Sequence, residues 1–377
     1  MENKIKPLLF WLVFVLMISP VIQKHFVVFA PAKLNGEYKE AENPPFLPGK
    51  WWDGSFQIKK DNYFNDQCGF RANMVKLNNQ LDFWLFKKLH ATDVVLGQHQ
   101  NLYLKAYIDA YFGKDFVGNA KAVSILTKLK AIQDTLAHLG KTLILAYAPG
   151  KAYFYPSDFP ENLQGPAVAP SNYETYLRIA DSLKINQVDF NAWFVSMSGN
   201  SKDLLYARQG NHWTTYGSLL AADSLTKYIE KKRNIQLPHI ALSNVNTSSG
   251  ARDKDDDLYK LLNLSYPIVS ENFTYPDVNY VSDTTKSKPA AIYIGDSFVF
   301  TLLHDDYMHQ TNSNWEVWYY FATVINQDEW RSIEGYDWAG NMKKADYLVL
   351  LYSPHNLSKL GNGFIENAYD YFYPATK

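Results

Sequence analysis

The sequence predicts an α/β protein with a doubly wound, mostly parallel β-sheet flanked by helices. Two observations predict this class. From about residue 119 onward, short apolar runs of strand length alternate with segments of helical periodicity. One of these runs, "TLILAYAP" at 142–149, is apolar almost throughout, which is typical of a strand buried on both faces. The chain shows no internal repeats.

The individual elements follow in chain order. Residues 120–139 form an amphipathic helix that ends at Gly140, with its apolar stripe made of Val123, Leu126, Leu129, Ile132, Leu136 and Leu139. Further helices are predicted over 172–184, where "QVDF" follows, and from Thr214 to about Lys232, and further strands are predicted over 289–298, 315–321 and 346–353. Residues 238–288 look polar and irregular, and their charge run "RDKDDD" (252–257) is interpreted as a solvated loop.

Composition excludes several functional classes. The chain has 377 residues and a net charge of −1, so bulk electrostatics do not steer it toward nucleic acid. It has a single cysteine, Cys68, which excludes an intramolecular disulfide and a cysteine-based metal site. Its histidines have no metal-ligand spacing, and we expect no metal. Aromatic residues make up 16% of the chain, and most are expected in the core.

The first 118 residues have a different organisation. Lys4 and Lys6 precede an apolar run from Pro7 to Ile22, which favours an uncleaved signal-anchor over a cleaved signal peptide within residues 1–32. The basic flank predicts a cytoplasmic N-terminus, with the bulk of the chain on the other side of the membrane. Residues 33–50 read as a polar, Pro-rich linker. Residues 51–118 are predicted to be an N-terminal segment that wraps the domain over 119–377, with a helix around 74–89 and a hairpin over 93–104.

The stretch "IYIGDSF" carries the sharpest chemical signal. A predicted strand ends at Gly295 and Ser297 follows within two residues, at the edge of an α/β sheet where ligands bind. A serine there, at the start of a helix, faces free backbone N–H groups that can stabilise an oxyanion. The same pattern also fits a helix N-cap serine without chemistry.

A serine nucleophile needs a base within hydrogen-bond reach. His212, in "RQGNHWTTYG" just before a predicted helix, is the candidate, with Trp213 placed to wall its ring. A lone histidine is more often structural. The combination of this stretch with a serine at a strand end favours catalysis.

Together these motifs resemble the SGNH-hydrolase-like domain of the alginate O-acetyltransferase family, the AlgJ/AlgX type. That family carries a motif of the form Tyr-x-x-x-Asp-x-His-Trp and, later, a serine motif at a strand end. Tyr206, His212 and Trp213 fall in register with it, and Ser297 follows in the same order. The stretches "WWDGSF", "CGFR", "VVLGQHQNLYL", "YAPGKAYFYPSDFP" and "NLSKLGNGF" extend the resemblance over about residues 45–370. The resemblance implies a three-layer α/β/α fold for the catalytic domain over 119–377.

The departure from the motif is Gly210, which stands where the family has its triad aspartate. The acid of a triad fixes the tautomer of the histidine and stabilises its charged form. Three interpretations remain open. The site works as a Ser-His dyad with a backbone carbonyl orienting the ring; another acid substitutes, with Asp203 the nearest upstream; or the protein is inactive and serves as a binding partner.

The resemblance implies an O-acetyltransferase acting on an exported polysaccharide, in which Ser297 takes an acetyl group and His212 acts as general base and then general acid. It also implies a multispanning membrane acyltransferase as acetyl-donor partner, no cofactor, and a single-pass inner-membrane protein with its catalytic domain in the periplasm. The alternatives are a carbohydrate acetyl esterase with the same residues, and a catalytically silent carbohydrate-binding or scaffold subunit. The candidate substrate contacts are Trp213, Tyr206, Lys151, Tyr320 and Asn356.

Overall fold

The computed structural model describes residues 2–36, 39–252, 254–282, 285–326 and 329–374. The chain divides into two compact units, Met1–Thr92 with Tyr259–Ile268, and Asp93–Leu258 with Val269–Lys377. The predicted domain boundaries at 32, 50 and 118 stay predictions. Asp253, within the predicted solvated loop, lies outside the described residues.

The elements alternate along the chain as the sequence predicts. The α-helices are α1 (Glu2–Phe26), α2 (Pro48–Trp52), α3 (Ser55–Asp66), α4 (Arg71–Phe86), α5 (Lys105–Tyr111), α6 (Asn119–His138), α7 (Lys151–Phe154), α8 (Asn172–Ser182), α9 (Phe190–Met197), α10 (Thr215–Arg233), α11 (Asp257–Leu261), α12 (Tyr307–Thr311), α13 (Trp338–Lys344) and α14 (Phe364–Phe372). The strands are β1 (Val94–Leu96), β2 (Leu102–Leu104), β3 (Thr142–Tyr147), β4 (Gln187–Asp189), β5 (His239–Ser248), β6 (Phe273–Val281), β7 (Ala290–Gly295), β8 (Asn314–Tyr319), β9 (Thr323–Asn326), β10 (Glu329–Ser332) and β11 (Tyr347–Tyr352).

The second unit contains a seven-stranded sheet in the order β10-β9-β8-β7-β11-β3-β4. The strands from β8 to β4 run parallel, and β9 and β10 add an antiparallel edge. Because parallel strands run in the same direction, their carboxyl ends lie at the same edge of the sheet. The predicted doubly wound, mostly parallel sheet is confirmed.

Alternate side chains of the central strands bury themselves on opposite faces of the sheet. On β11, Tyr347, Val349 and Leu351 join one core cluster together with residues of α9 and α10. Leu348, Leu350 and Tyr352 join a second cluster together with residues of α6, α8 and α14. The sheet is therefore covered by helices on both faces, which explains why its strands read as continuous apolar runs.

The polar region over 238–288 is more ordered than its sequence suggests. β5 and β6 form an antiparallel ribbon with an irregularity between Ser243 and Asn246. Most side chains in the second half of β5 are exposed, so the ribbon lacks the apolar alternation that marks a strand. The prediction of irregular structure here is wrong for this reason. The hairpin predicted over 93–104 is present as β1 paired with β2.

The first unit begins with the long apolar helix α1. Its segment Ile5–Phe26 has 22 residues and a mean hydropathy of 2.2, long and apolar enough to cross a membrane. Its apolar side chains are largely exposed, as Leu8 (71%) and Met17 (73%) illustrate. Such a surface matches a lipid environment better than water, which agrees with the predicted membrane segment.

Candidate active site

Ser297 lies at the carboxyl edge of the sheet, immediately beyond β7. Glycine is required at Gly295 because a Cβ there would lie 2.0 Å from the carbonyl oxygen of Leu351 on the neighbouring strand. β7 ends at Gly295, and the chain then enters a 3₁₀-helix over Ser297–Asp306. Ser297 is its first residue and remains partly exposed.

Asp296 fixes the turn that presents Ser297. Its Oδ1 accepts a hydrogen bond from the backbone N–H of Phe298 at 3.1 Å. Its Oδ2 accepts from the N–H and the hydroxyl of Ser353, at 2.9 and 2.6 Å, and from Nδ2 of Asn356 at 2.9 Å. The buried carboxylate therefore ties the turn after β7 to the segment that follows β11.

His212 approaches Ser297 from the segment that precedes α10. Nε2 of its ring lies 2.7 Å from Oγ of Ser297. The ring packs against Phe298, with the ring centres 4.6 Å apart. Thr214 caps α10 by accepting from the N–H of Gly217, so the helix begins directly after the His-Trp pair and fixes where His212 leaves the backbone. The structure thus brings the two predicted catalytic residues together across 85 residues of chain.

The other side of the His212 ring meets an acid that the sequence-based interpretation placed in solvent. Nδ1 of His212 lies 2.6 Å from Oδ2 of Asp257, the last residue of the "RDKDDD" run. The other oxygen, Oδ1, accepts the N–H of Asn211 at 2.6 Å. The Asp257 side chain is 24% exposed, and that of His212 only 7%. The prediction of a solvated loop is therefore wrong at Asp257.

These contacts determine the tautomer of His212. Burial tends to raise the pKa of Asp257, but the charge and hydrogen bond of His212 and the N–H of Asn211 together lower the pKa below its ordinary value. An ionised carboxylate only accepts hydrogen bonds, so Nδ1 of His212 carries a proton and donates it to Asp257. Nε2 is then an acceptor, placed for the hydroxyl proton of Ser297.

A second carboxylate holds the acidic segment against the His212 segment. Asp255, which is 2% exposed, accepts from the N–H of Thr215 at 2.8 Å and from the hydroxyl of Tyr275 at 2.7 Å. Thr215 is the first residue of α10, where a negative charge is stabilising. Tyr275 belongs to β6, so the ribbon of β5 and β6 anchors the segment. The bonds of Asp255 to α10 and β6 therefore hold the segment in the position where Asp257 contacts His212.

The structure decides between the orienting groups considered for His212. Asp203, the substitute acid suggested by the sequence, instead accepts from Oγ1 of Thr274 at 2.8 Å. The carbonyl of Gly210 accepts from Nζ of Lys151 at 2.6 Å. The interpretation that another acid substitutes therefore holds, but the acid is Asp257 and not Asp203, and the backbone-carbonyl interpretation is wrong.

Three of the predicted substrate contacts lie in the interior. Trp213 is 2% exposed and donates from Nε1 to Oγ1 of Thr301, while Tyr206 is fully buried and donates from its hydroxyl to the carbonyl of Asn211 at 2.5 Å. Lys151 is also fully buried. Side chains with at most 2% of their surface accessible cannot form a substrate contact, so these predictions are corrected to supporting positions behind the site.

Lys151 supports the His212 segment from behind. Its Nζ donates to the carbonyls of Arg208 and Gly210, at 2.7 and 2.6 Å. Burial lowers the pKa of Lys151 to about 7, opposed by the nearby carboxylates of Glu271, Asp257 and Asp158. The position of this amine fixes the backbone two residues before His212.

The remaining two predicted contacts lie at the sheet edge. Tyr320 follows β8 and Asn356 follows β11, and both are partly exposed. Nδ2 of Asn356 lies 3.4 Å from the hydroxyl of Tyr320, in addition to its bond to Asp296. A contact of either residue with substrate stays a prediction.

The comparisons with known proteins agree with this architecture. Residues 94–301, more than half of the chain, match the sequence model of the family described as "SGNH hydrolase-like domain, acetyltransferase AlgX". A protein named "Probable alginate O-acetylase AlgJ" from Azotobacter vinelandii is 23% identical over 193 residues, which are 51% of this chain and 46% of that protein. Its namesake from Pseudomonas syringae pv. tomato is 25% identical over 190 residues, 50% of this chain and 45% of that protein. The matched region thus spans about half the length of these curated relatives.

Among solved structures, the chain is similar to the O-acetyltransferase domain of Pseudomonas putida AlgJ. The TM-score is 0.48 and the sequence identity 17%, over 74% of this chain and 99% of that domain.

Proposed function

Since this chain belongs to the family of SGNH hydrolase-like domains of the AlgX acetyltransferase type, we propose that it is an O-acetyltransferase in which Ser297 is the nucleophile. The observation that carries this proposal is the unbroken hydrogen-bonded chain from Asp257 through His212 to Ser297. A serine hydroxyl is a weak nucleophile at neutral pH, and this arrangement is what activates it.

In the first half-reaction, Oγ of Ser297 attacks the carbonyl carbon of an acetyl donor while Nε2 of His212 takes the hydroxyl proton. His212 then gives this proton to the leaving group of the donor, and the acetyl group remains on Ser297 as an ester. Asp257 keeps its own charge throughout and stabilises the protonated ring of His212.

The negative oxygen that forms during the attack needs a hydrogen-bond donor. The backbone N–H of Ser297 is suited to this, because it opens the 3₁₀-helix and bonds to no other residue in the described part of the chain. The side-chain amide of Asn356, in the 3₁₀-helix that follows β11, is a second candidate donor, although it also bonds to Asp296.

In the second half-reaction, a sugar hydroxyl attacks the acetyl-Ser297 carbonyl. His212 removes the hydroxyl proton and returns it to Oγ of Ser297 as the ester bond breaks. An acetyl esterase differs only in using water as the acceptor. The complete hydrogen-bonded chain favours either enzyme over the silent scaffold, because a binding subunit has no need of an ionised acid aligned on His212.

The curated relatives are named as alginate O-acetylases, and we extend this to the substrate class of an exported polysaccharide. The apolar run of α1, which Lys4 and Lys6 precede in the sequence, supports an anchor in the inner membrane with the second unit in the periplasm. A multispanning membrane acyltransferase would then supply acetyl groups from the cytoplasmic side.

The test is acetyl transfer by the full chain in detergent, with 4-nitrophenyl acetate as donor and an oligosaccharide as acceptor. We expect a burst of 4-nitrophenol, an acetyl group on Ser297 by mass spectrometry, and acetylated oligosaccharide. Ser297→Ala should abolish all three and leave the melting temperature within about 3 °C, since a partly exposed hydroxyl contributes little stability. Free acetate in place of acetylated sugar would indicate the esterase, and a wild-type protein that releases no more 4-nitrophenol than Ser297→Ala would exclude both enzymes.

A further inference from the structure

A second histidine lies beside the Ser297 site. His355 follows β11, the strand that pairs directly with β7. Its ring stacks on Tyr107, with centres 3.9 Å apart and planes inclined by 25°. Tyr107 is 2% exposed and is held by the amide of Asn211, the residue before His212. The imidazole of His355 is therefore rigidly placed at the same sheet edge as the proposed nucleophile.

The hydrogen bonds of His355 define which of its nitrogens carries the proton. Ser353 donates its single hydroxyl proton to Oδ2 of Asp296, at 2.6 Å. Nδ1 of His355 lies 2.9 Å from that hydroxyl oxygen, which can then only accept from it. The chain from His355 through Ser353 to Asp296 thus fixes Nδ1–H as the donor and leaves Nε2 as an acceptor.

Nε2 of His355 has the properties of a ligand acceptor. Within the described residues nothing bonds to it, and the side chain is partly exposed at the sheet edge. Burial lowers the pKa of His355 to about 4, although the charge of Asp296 opposes this shift. The ring is therefore neutral near pH 7, so it presents a lone pair and no positive charge.

A role as a second base for Ser297 is unnecessary, because the Ser297 hydroxyl already meets His212 at 2.7 Å. What the second half-reaction still needs is a group that holds the acceptor in the correct orientation. We propose that His355 is an acceptor-binding residue, whose Nε2 accepts a hydrogen bond from a hydroxyl adjacent to the attacking hydroxyl of a sugar vicinal diol.

The inference rests on the proposed acetyl transfer. In the reaction, the attacking hydroxyl oxygen bonds to the acetyl carbon, its proton passes to His212, and Oγ of Ser297 leaves with that proton. His355 exchanges no proton and breaks no bond. Its contribution is to select a sugar diol over water, since water has no neighbouring hydroxyl to hold. The residue therefore favours transfer over hydrolysis.

The experiment compares His355→Phe with wild type in the full chain, because phenylalanine preserves stacking on Tyr107 and removes the acceptor nitrogen. Acylation is followed by the 4-nitrophenol burst. Partition of the acetyl-enzyme is followed by the ratio of acetylated acceptor to acetate, with ethylene glycol as a vicinal diol and methanol as a single hydroxyl. The matched control is His309→Phe. His309 lies on α12, and the centre of its ring is 5.1 Å from that of Trp315.

Because His355→Phe loses one hydrogen bond to the acceptor, its rate of transfer to ethylene glycol should fall about tenfold more than its rate of acylation. The preference of the acetyl-enzyme for ethylene glycol over methanol should also disappear. His309→Phe should retain the wild-type ratio. A His355→Phe protein with the wild-type partition and diol preference, or with acylation and transfer reduced equally, would overturn the inference. Failure of the proposed function is distinguishable, because the wild-type protein would then form no acetyl-Ser297.

Discussion

The backbone carbonyl of Asp255 occupies the space into which a side chain at Gly210 would project. A Cβ on Gly210 would lie 2.5 Å from that oxygen, closer than real Cβ contacts allow. Gly210 stands where the related motif has its aspartate, and the segment that approaches it carries Asp257 to His212. The missing side chain at Gly210 therefore leaves the space that the 255–257 segment needs in order to bring Asp257 to His212.

Restoring a side chain at Gly210 should weaken the site. Gly210→Ala is expected to push the 255–257 segment outward, with a loss of about 1–3 kcal/mol in the free energy of unfolding, typical of overpacking. Esterase turnover should fall as Asp257 moves from His212, and Gly210→Asp should behave no better. Denaturant unfolding and 4-nitrophenyl acetate turnover measure both effects.

Gly165→Ala is the matched control for that substitution, because a Cβ there meets no atom within 4 Å. It should leave turnover and stability close to wild type. Higher turnover in Gly210→Asp than in wild type would show that the position accepts the motif acid after all.

Removing the amine behind the His212 segment should affect both stability and activity. Lys151→Met eliminates the donor to the carbonyls of Arg208 and Gly210, leaving a buried carbonyl unsatisfied at a cost of about 1–3 kcal/mol. Because Gly210 is two residues from His212, kcat should also fall. Lys227→Met, which removes an exposed pair with Asp223, should change stability by less than about 0.5 kcal/mol. Equal behaviour of the two variants would refute a positioning role for Lys151.

The neutral state of His355 predicts a pH dependence of stability. Its folded pKa, about 4, lies below the ordinary value of 6.5, so the unfolded chain binds more protons between these limits. The contribution of His355 is fully present above about pH 6.5 and is lost as the pH falls toward 4. The melting temperature of wild type should therefore decrease more steeply than that of His355→Phe between pH 7 and 4.5. Parallel curves for the two proteins would contradict the neutral state of the His355 ring.

Much of the sheet and the proposed Ser-His pair were predictable because their signals are local. Helix α6 has a helical apolar periodicity because one of its faces packs on the sheet, and strand β3 is apolar almost throughout because both of its faces are buried. Ser297 follows the glycine that ends its strand, and His212 precedes a capped helix. These features depend on a few neighbouring residues.

The acid of the site was not predictable in this way. Asp257 lies within a run of charges, and nothing local distinguishes it from Asp255 or Asp256. Its position depends on the ribbon of β5 and β6, whose exposed strands lack an apolar pattern. Lysine is rarely fully buried, so the sequence favours an exposed cleft position for Lys151. Only the fold shows that Lys151 is fully buried beneath the His212 segment.

The most direct test of the account is the loss of turnover in Asp257→Asn compared with Asp203→Asn, measured as kcat for 4-nitrophenyl acetate. Asparagine preserves the shape of Asp257 and removes its charge, and it allows His212 to adopt the wrong tautomer. We predict a loss of about 10³–10⁴-fold, by analogy with a serine-protease triad. Asp203→Asn should retain turnover within about threefold, because the Asp203 side chain bonds to Thr274 and Tyr216, whereas Asp257 bonds to His212. An Asp257→Asn protein as active as wild type would contradict the assignment of Asp257 as the acid that orients His212.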